Sequence, residues 1–230
     1  MKKFKSETKL AEVIIQYLKE MGWEVYQEVQ ISSYGKIADI VARQGNLIWI
    51  LECKLSLSLT LIGQAKNWLR YGHYVSIVTP TKRSSTSYYI AEDILEHYGI
   101  GHFQVSNYGY NEELSISQRI SPKLNRKAMA NYIVRYLTDK QKSWAKAGNS
   151  YGLRYTPFQD TKDQLIRVVK DNPGITMKEI IKDINHHYSS DASAKGSLLQ
   201  WINKGVIKEV RVKRDGKKYR FYLDEEKYNA

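Results

Sequence analysis

The sequence predicts a two-domain α/β protein, with a mixed sheet covered by helices on both faces and a smaller domain of three helices and a hairpin. Helix-period and strand-period segments alternate along the chain up to residue 105. Residues 47–53 (LIWILEC) are apolar at nearly every position, as in a central strand covered on both faces. After residue 160, three helical segments precede two basic extended segments joined by a turn at Asp215-Gly216.

Composition limits the class of protein. A chain of 230 residues with 42% hydrophobic and 26% charged residues is an ordinary globular sequence, long enough for one large core or two smaller ones. Its single cysteine excludes an internal disulfide framework and a Cys-rich zinc site. The basic start, MKKFKSETKL, is not followed by an apolar signal segment, and no segment approaches the roughly 18 apolar residues of a membrane span. We therefore expect a soluble, cytoplasmic protein with no membrane partner.

The net charge of +12 is unevenly distributed. Residues 1–118 contain 12 Lys/Arg and 12 Asp/Glu, whereas residues 119–230 contain 24 and 12. A neutral half joined to a strongly basic half indicates one module that carries chemistry and another that binds a polyanion.

The chain opens with a predicted helix over residues 6–21, which has Ser6 as its N-cap and Gly22 as its stop. Helical projection places Glu7 at the edge of the apolar face and Glu12 on the opposite, solvated side. Residues 23–31 (WEVYQEVQI) alternate as a half-buried strand does.

A hairpin over residues 36–54 carries the charges of greatest interest. Two extended segments meet at a Gln44-Gly45-Asn46 corner, which folds Asp39 back towards Glu52. Two carboxylates and the Lys54 ammonium would then meet at the end of a buried sheet. The residues allow two interpretations: a salt bridge at the strand ends, or a Mg²⁺ site in which Asp39 and Glu52 supply oxygen ligands and Lys54 lies beside the attacking water.

The rest of the first domain is predicted from the same signals. Residues 61–71 form a helix with Gln64, Trp68 and Tyr71 at 3–4 spacings, and a strand over 74–79, a helix over 87–97 and a last strand over 100–105 follow. Residues 107–113 are expected to be a loop that ends this domain. The segment 122–146 is predicted to be a connecting helix with a basic face, or else a merely solvated charged helix, before a linker over 148–158.

The C-terminal segments are predicted as helices over residues 160–170, 176–184 and 192–203 and strands over 206–212 and 218–223. Thr176 and Glu179 form a capping box for the second of these helices. Seven cations in and around the hairpin are candidate phosphate ligands: Lys208, Arg211, Lys213, Arg214, Lys217, Lys218 and Arg220.

The arrangement D-x(12)-E-C-K, from Asp39 to Lys54, resembles the motif of the PD-(D/E)xK nuclease superfamily, which includes restriction enzymes, Holliday-junction resolvases and RecB-type nuclease domains. The resemblance implies a restriction-endonuclease-like αβββαβ core over residues 1–118. It also implies that Asp39 and Glu52 hold Mg²⁺, with Mn²⁺ as a substitute, and that the Cys53 carbonyl is a third ligand. Lys54 would lower the pKa of the attacking water or stabilise the pentacovalent phosphate.

Two further roles come only from this resemblance. Many members of the superfamily place a glutamate from the first helix beside the metal, a role that falls on Glu7. RecB-like members carry a Gln-xxx-Tyr helix after the E-x-K strand, which Gln64 with Trp68 or Tyr71 resembles, although Trp replaces Tyr at the strict spacing. Gln64 would then orient Lys54 or a phosphate oxygen.

Residues 155–230 resemble a winged-helix DNA-binding domain, whose third helix would enter the major groove while the hairpin contacts the backbone or minor groove. Residues 119–154 would connect it to the core. The combined order of domains is similar to that of the endonuclease subunits of heteromeric transposases. It implies a metal-dependent DNA endonuclease, with DNA as partner and a homodimer as the form in which many such enzymes cut. The alternatives are a DNA-binding regulator or an interaction subunit that uses the nuclease fold only as a scaffold.

Overall fold

The computed structural model describes residues 4, 6–31, 36–82, 85–108, 113–143, 147–148, 155–216 and 218–228. The chain divides into two compact units, Met1–Tyr155 and Thr156–Ala230. The protein is mixed α/β, as the sequence predicts. Among the described residues, no helix is long and apolar enough to cross a membrane.

The first unit is built on a six-stranded sheet in which the strands lie in sequence order. The strands are β1 (Glu24–Gln30), β2 (Ile37–Gln44), β3 (Leu47–Cys53), β4 (Tyr74–Pro80), β5 (Gly101–Tyr108) and β6 (Glu113–Ile120). The β3–β4 and β4–β5 pairs are parallel, and the other three pairs are antiparallel. The sheet is therefore mixed, and its central strand β3 is buried along nearly its whole length.

Helices cover both faces of this sheet. They are α1 (Glu7–Glu20), α2 (Leu59–Trp68), α3 (Thr86–Tyr98) and the short α4 (Ala130–Val134). The apolar side chains of α1 pack in one core with Trp49, whereas those of α2, α3 and α4 pack in a second core with Ile48 and Ile50. Because alternate residues of β3 enter different cores, the sheet separates them.

Predicted capping residues explain where the first helices begin. The Ser6 side chain accepts a hydrogen bond from the Lys9 backbone N–H, as predicted for an N-cap, and Gly22 has a φ of 81° just beyond the helix. For α2 the observed cap is Ser58, so this helix begins two residues earlier than predicted, and it ends at Trp68 rather than at Tyr71.

Two predictions for residues 107–146 are wrong. Residues 113–120 form the strand β6, which pairs with β5 beyond the point where the first domain was expected to end. The long basic helix over 122–146 is replaced by α4 and a 3₁₀ turn, Asp139–Lys142. The Asn125 and Met129 N–H groups donate to the His73 and Arg70 carbonyls, between α2 and β4, and hold the first part of this segment in a non-helical conformation.

A second break in the predicted helix occurs at Thr138, whose extended backbone (φ −130°, ψ 149°) separates α4 from the 3₁₀ turn. The buried Gln141 amide group stabilises this break. Its side-chain oxygen accepts the Thr138 N–H, and its nitrogen donates to the Tyr136 carbonyl. Residues 144–146 and most of the predicted linker lie outside the described residues.

The second unit contains the predicted helices and hairpin, with two additions. Its elements are α5 (Pro157–Asp171), β7 (Ile175–Thr176), α6 (Met177–Asp183), α7 (Asp191–Asn203), β8 (Val210–Asp215), β9 (Lys218–Leu223) and α8 (Glu225–Tyr228). The three strands form a small sheet in the order β7-β9-β8. The capping box at Thr176 and Glu179 is formed as predicted, and β8 begins four residues later than residue 206 because a turn follows Gly205.

Candidate functional site

The hairpin of β2 and β3 places Asp39 beside Glu52. The antiparallel ladder between these strands ends at the pair Ile40 and Leu51, and Asp39 and Glu52 are the next residues in that register. Opposite residues on neighbouring antiparallel strands have their Cβ atoms about 4.5–5.5 Å apart. Asp39 is 9% exposed and Glu52 is 3% exposed. The structure thus brings two buried carboxylates together at the end of the sheet.

Each carboxyl group accepts a hydrogen bond from a different N–H group of the surrounding structure. The backbone N–H of Cys53 donates to Asp39 Oδ2 over 2.8 Å. The indole N–H of Trp68, on α2, donates to Glu52 Oε1 over 2.6 Å. The two carboxyl groups are also hydrogen-bonded to each other, and the Asp39 backbone bonds to Glu52. These bonds orient the two side chains towards each other at the end of the sheet.

Burial and like charge disfavour ionisation of this pair. Burial is the largest cause of the raised pKa of Glu52, which rises from 4.5 to about 8, and the neighbouring charge of Asp39 adds to it. Burial likewise raises the pKa of Asp39, against the hydrogen bond from Cys53. A positive charge placed between the two carboxyl groups would reverse both effects.

Lys54 lies at the same end of the sheet but is engaged by α1. Its Nζ lies 2.8 Å from Glu7 Oε2, and both side chains are partly exposed. Burial by itself lowers the pKa of Lys54, but the bond to Glu7 and the charge of Asp39 outweigh it and raise this pKa above the ordinary value. Glu7 therefore contacts Lys54 directly, at the first turn of α1, while Glu12 is exposed.

The two other predicted site residues, Gln64 and Cys53, have side chains that form no hydrogen bond to the carboxylates in the described structure. Gln64 is half-buried on α2, one turn before Trp68, and within the described chain it forms no hydrogen bond to Lys54. The Cys53 side chain is fully buried in the core beneath α1, where burial keeps the pKa of its thiol well above the usual range. Only the backbone of Cys53 faces the carboxylates.

The residue types present fit a magnesium ion better than a zinc ion. The described residues contain no group of three or more His, Cys, Asp or Glu side chains that could hold a metal. Mg²⁺, however, is commonly bound by one or two carboxylates, with water and substrate phosphate completing its six oxygen ligands. Asp39 and Glu52 meet that smaller requirement.

Sequence patterns did not reveal two residues of this region. In the sequence Trp68 stands out only by its spacing from Gln64, yet in the structure it is the donor that orients Glu52. Glu28 is the residue of β1 that the register places opposite Asp39, and it has a φ of 52°, which is rare for a residue other than glycine. Its carboxylate accepts the Gly148 N–H, and so it holds residues 147–148 near α1. The only sign of Glu28 in the sequence is a charged residue within the predicted strand over 23–31.

The cations of the second unit differ in their exposure and in the ion pairs that they form. Lys208, Arg211, Lys213, Arg214 and Lys218 are exposed on or beside the hairpin. Arg220 instead pairs with Asp215 (Nε–Oδ2 2.6 Å) and donates to the Gly174 carbonyl. It therefore stabilises the hairpin itself. Lys217 lies outside the described residues.

No protein-family model and no curated protein matches the sequence. A crystal structure of a protein of unknown function, AF1548, is similar to the chain with a TM-score of 0.34 and 15% sequence identity, over 88% of this chain and 98% of that one. The function is therefore proposed from the geometry of the residues themselves.

Proposed function

We propose that the protein is a Mg²⁺-dependent DNA endonuclease of the PD-(D/E)xK type, which hydrolyses phosphodiester bonds. The observation that carries the proposal is the pair Asp39 and Glu52, buried side by side at the end of the sheet with Lys54 two residues beyond Glu52. Their spacing, D-x(12)-E-C-K, is the one expected for that superfamily. The αβββαβ order of α1 through β4 also supports it.

Asp39 and Glu52 would hold the metal through their carboxylate oxygens, and the ion would replace the hydrogen bond between the two side chains. The Cys53 carbonyl is a candidate third ligand, because the N–H and C=O of one strand residue face the same neighbouring strand and the N–H already faces Asp39. When bound, the ion would polarise a phosphate oxygen and favour ionisation of a water molecule.

The remaining residues act through position and charge. Glu7 holds the Lys54 ammonium at the sheet end, where its charge can stabilise the negative oxygens of the attacked phosphate. The Trp68 indole fixes the rotamer of Glu52 and excludes water from its buried side. Gln64 is a proposed phosphate contact, because no hydrogen bond to Lys54 engages it.

For the second unit we propose a winged-helix DNA-binding domain. The order helix, strand, two helices and a two-stranded hairpin supports it, as does the small sheet that the hairpin forms with β7. On α7, the side chains of Ser193, Lys195 and Gln200 are exposed, and polar exposed residues are what a helix in the major groove requires. The five exposed hairpin cations would contact phosphates.

Plasmid cleavage tests the proposal. Supercoiled DNA would be incubated with Mg²⁺, Mn²⁺ or EDTA and with wild type, Asp39→Ala, Lys54→Ala or the control Glu12→Ala, which removes an exposed acid of α1. We expect nicking or linearisation by wild type and the control, and none in EDTA or with the two site variants. If wild type retards the plasmid in a gel but leaves it intact, the protein binds DNA without cutting it.

One observation favours that second candidate, a non-catalytic DNA-binding protein. Lys54 is already paired with Glu7, so the charges at the sheet end can also be read as an ion cluster that stabilises the fold. The nuclease and the non-catalytic protein differ in the expected effect of Glu52 on the free energy of unfolding. In a structural ion cluster Glu52 stabilises the fold, whereas in a metal site without its ion it does not.

A further inference from the structure

Two cavities of the first unit share the side chain of Tyr132. One has a volume of about 310 Å³ and is also lined by Lys36, Trp68 and Arg70. The other has a volume of about 680 Å³ and is also lined by Arg135. Both volumes lie within the range of roughly 300–1,000 Å³ that is usual for ligand pockets. Together we call these cavities the arginine groove.

The arginine groove is positively charged. Lys36, Arg70 and Arg135 line it and are exposed, and no acidic side chain is among its described lining residues. Within the described chain, none of these three cations forms an ion pair. By contrast, Lys142 of the same unit is bonded to both Glu24 and Asp139. The groove therefore presents uncompensated positive charge, which attracts a polyanion.

Tyrosine rings hold both arginines in place. Tyr71 and Tyr132 stack with their centroids 5.7 Å apart and their planes 25° apart. The guanidinium carbon of Arg70 lies 5.7 Å from the centroid of Tyr71, and that of Arg135 lies 5.0 Å from the centroid of Tyr132. A guanidinium held over a ring keeps its N–H donors at its edge, so these donors remain free for phosphate oxygens.

The smaller cavity of the arginine groove adjoins the carboxylate pair, whereas the larger cavity lies towards the β2–β3 turn, where Asn46 lines it. Trp68 lines the smaller cavity, and the same indole donates its N–H to Glu52. Lys36 immediately precedes β2, the strand that carries Asp39. Main-chain bonds from Asn125 to the His73 carbonyl and from Met129 to the Arg70 carbonyl fix the segment beside the larger cavity. A DNA strand that leaves the carboxylate pair along this face, past Trp68, would enter the arginine groove.

We propose that the arginine groove binds a single-stranded segment of DNA next to the bond that is cleaved. This inference rests on the proposed function and names its substrate class: DNA with an unpaired strand beside the cut, such as a fork or a flap. Both cavities have volumes in the range of pockets for small ligands, which suits single nucleotides of an unpaired strand. Proteins bind single strands through such groups: guanidinium groups contact the phosphates, and aromatic rings stack on the bases.

Binding measured without metal separates this proposal from cleavage. Fluorescence anisotropy in EDTA would compare a blunt duplex with a fork that has the same duplex and one unpaired arm of about 10 nucleotides. The proteins would be wild type, the double variant Arg70→Ala/Arg135→Ala, Lys36→Ala, and the charge-matched control Lys9→Ala/Lys19→Ala. The control removes two exposed lysines from α1, on the opposite face of the sheet.

We expect wild type to bind the fork more tightly than the duplex. The arginine double variant should lose roughly tenfold of that preference, and its salt dependence on the fork should weaken by about 1.4 in the slope of log K against log salt, because each lost phosphate contact of a single strand contributes about 0.7. Duplex affinity should not change, and the lysine control should keep the preference. Lys36→Ala should lose a smaller part of it.

An equal affinity of wild type for fork and duplex would overturn the proposal, and so would a fork preference that survives in a folded arginine double variant, as judged by its thermal unfolding. Neither result depends on cleavage. A protein that shows the fork preference and its loss, but cuts neither the plasmid nor the fork in Mg²⁺, would retain the arginine groove as a binding site and would not be a nuclease.

Discussion

Replacement of Glu52 by glutamine should make the metal-free protein more stable at neutral and alkaline pH. The pKa of Glu52 is raised from 4.5 to about 8 in the folded state. Between these two values the folded state binds more protons than the unfolded state, so the free energy of unfolding falls as pH rises. The contribution of the protonated Glu52 to the free energy of unfolding is fully present below about pH 4.5. It decreases as pH rises and is lost by about pH 8.

The size of the effect follows from the two pKa values. The full loss is about 5 kcal/mol above pH 8, and about 3 kcal/mol of it is reached at pH 7. Glu52→Gln has no such loss, and its side-chain oxygen can still accept the Trp68 indole N–H. The variant should therefore exceed wild type by about 1 kcal/mol near pH 5 and by several kcal/mol near pH 9.

Urea unfolding in EDTA near pH 5, 7 and 9, followed by circular dichroism, measures this difference, with Glu12→Gln as the exposed control. A variant less stable than wild type near pH 9, or a difference that does not change with pH, would refute the reasoning and favour the structural ion cluster. Addition of Mg²⁺ near pH 7 supplies a second readout. At about ten times its dissociation constant it should stabilise wild type by about 1.4 kcal/mol, and Glu52→Gln by less.

Three other predictions concern separate parts of the chain. His102 is fully buried, with Nε2 bonded to Thr79 Oγ1 (2.9 Å), and burial lowers its pKa to about 4. Relative to His102→Gln, wild type should therefore lose about 3 kcal/mol of unfolding free energy as pH falls from 6.5 to 4 in urea titrations, whereas parallel curves would contradict the lowered pKa. Lys213→Ala/Arg214→Ala should weaken the salt dependence of duplex binding by about 1.8 in slope, and an unchanged slope would show that these side chains contact no phosphate. Thr156→Ala should reduce the free energy of unfolding by about 1 kcal/mol in urea titrations, because the Thr156 side chain accepts the Gln159 N–H at the start of α5, and no loss would mean that water replaces the cap.

Local signals predict the hairpin that carries the candidate site, but not its exact register. The predicted corner has three residues, Gln44-Gly45-Asn46, whereas Gln44 belongs to β2 and pairs with Leu47, so the observed turn has two. Since the turn sets the register of an antiparallel pair, the sequence predicts that Asp39 folds back towards Glu52, and the structure supplies the register that sets them opposite each other. The capping serines and the glycine stops are equally local, and the helices that they delimit are close to those predicted.

The missing strand and the false helix have a common physical cause. Residues 113–120 (ELSISQRI) are largely polar, and their strand exists because β5 supplies its hydrogen-bond partners. Residues 122–146 have apolar residues at helical spacing, but the Arg70 and His73 carbonyls, between α2 and β4, accept N–H groups of the first part of this segment. In both places the deciding hydrogen-bond partner lies outside the segment, so the apolar spacing within the segment does not predict the outcome.

The donor that orients Glu52 was hidden for the same reason. Trp68 lies on the apolar face of α2, where a large side chain is explained by packing alone. Its indole N–H must nevertheless find an acceptor when buried, and the acceptor is set by the packing of α2 on β3. The sequence thus predicts which residues lie in the candidate site, whereas the bonds that aim them require the three-dimensional structure.

The same bonds bear on why two acids are placed where ionisation is disfavoured. For folding alone, a glutamine at position 52 would accept the Trp68 N–H without the loss that a buried carboxylate brings at neutral pH. A cation between Asp39 and Glu52 is what would favour their ionisation, and two cations of the arginine groove, Lys36 and Arg70, line the same cavity as the Trp68 side chain that orients Glu52. Two acids that a metal ion would ionise and a positively charged groove beside them are complementary to one kind of ligand, a divalent metal ion together with a phosphodiester chain. The stability of Glu52→Gln and the fork preference of the arginine variants test these two halves separately.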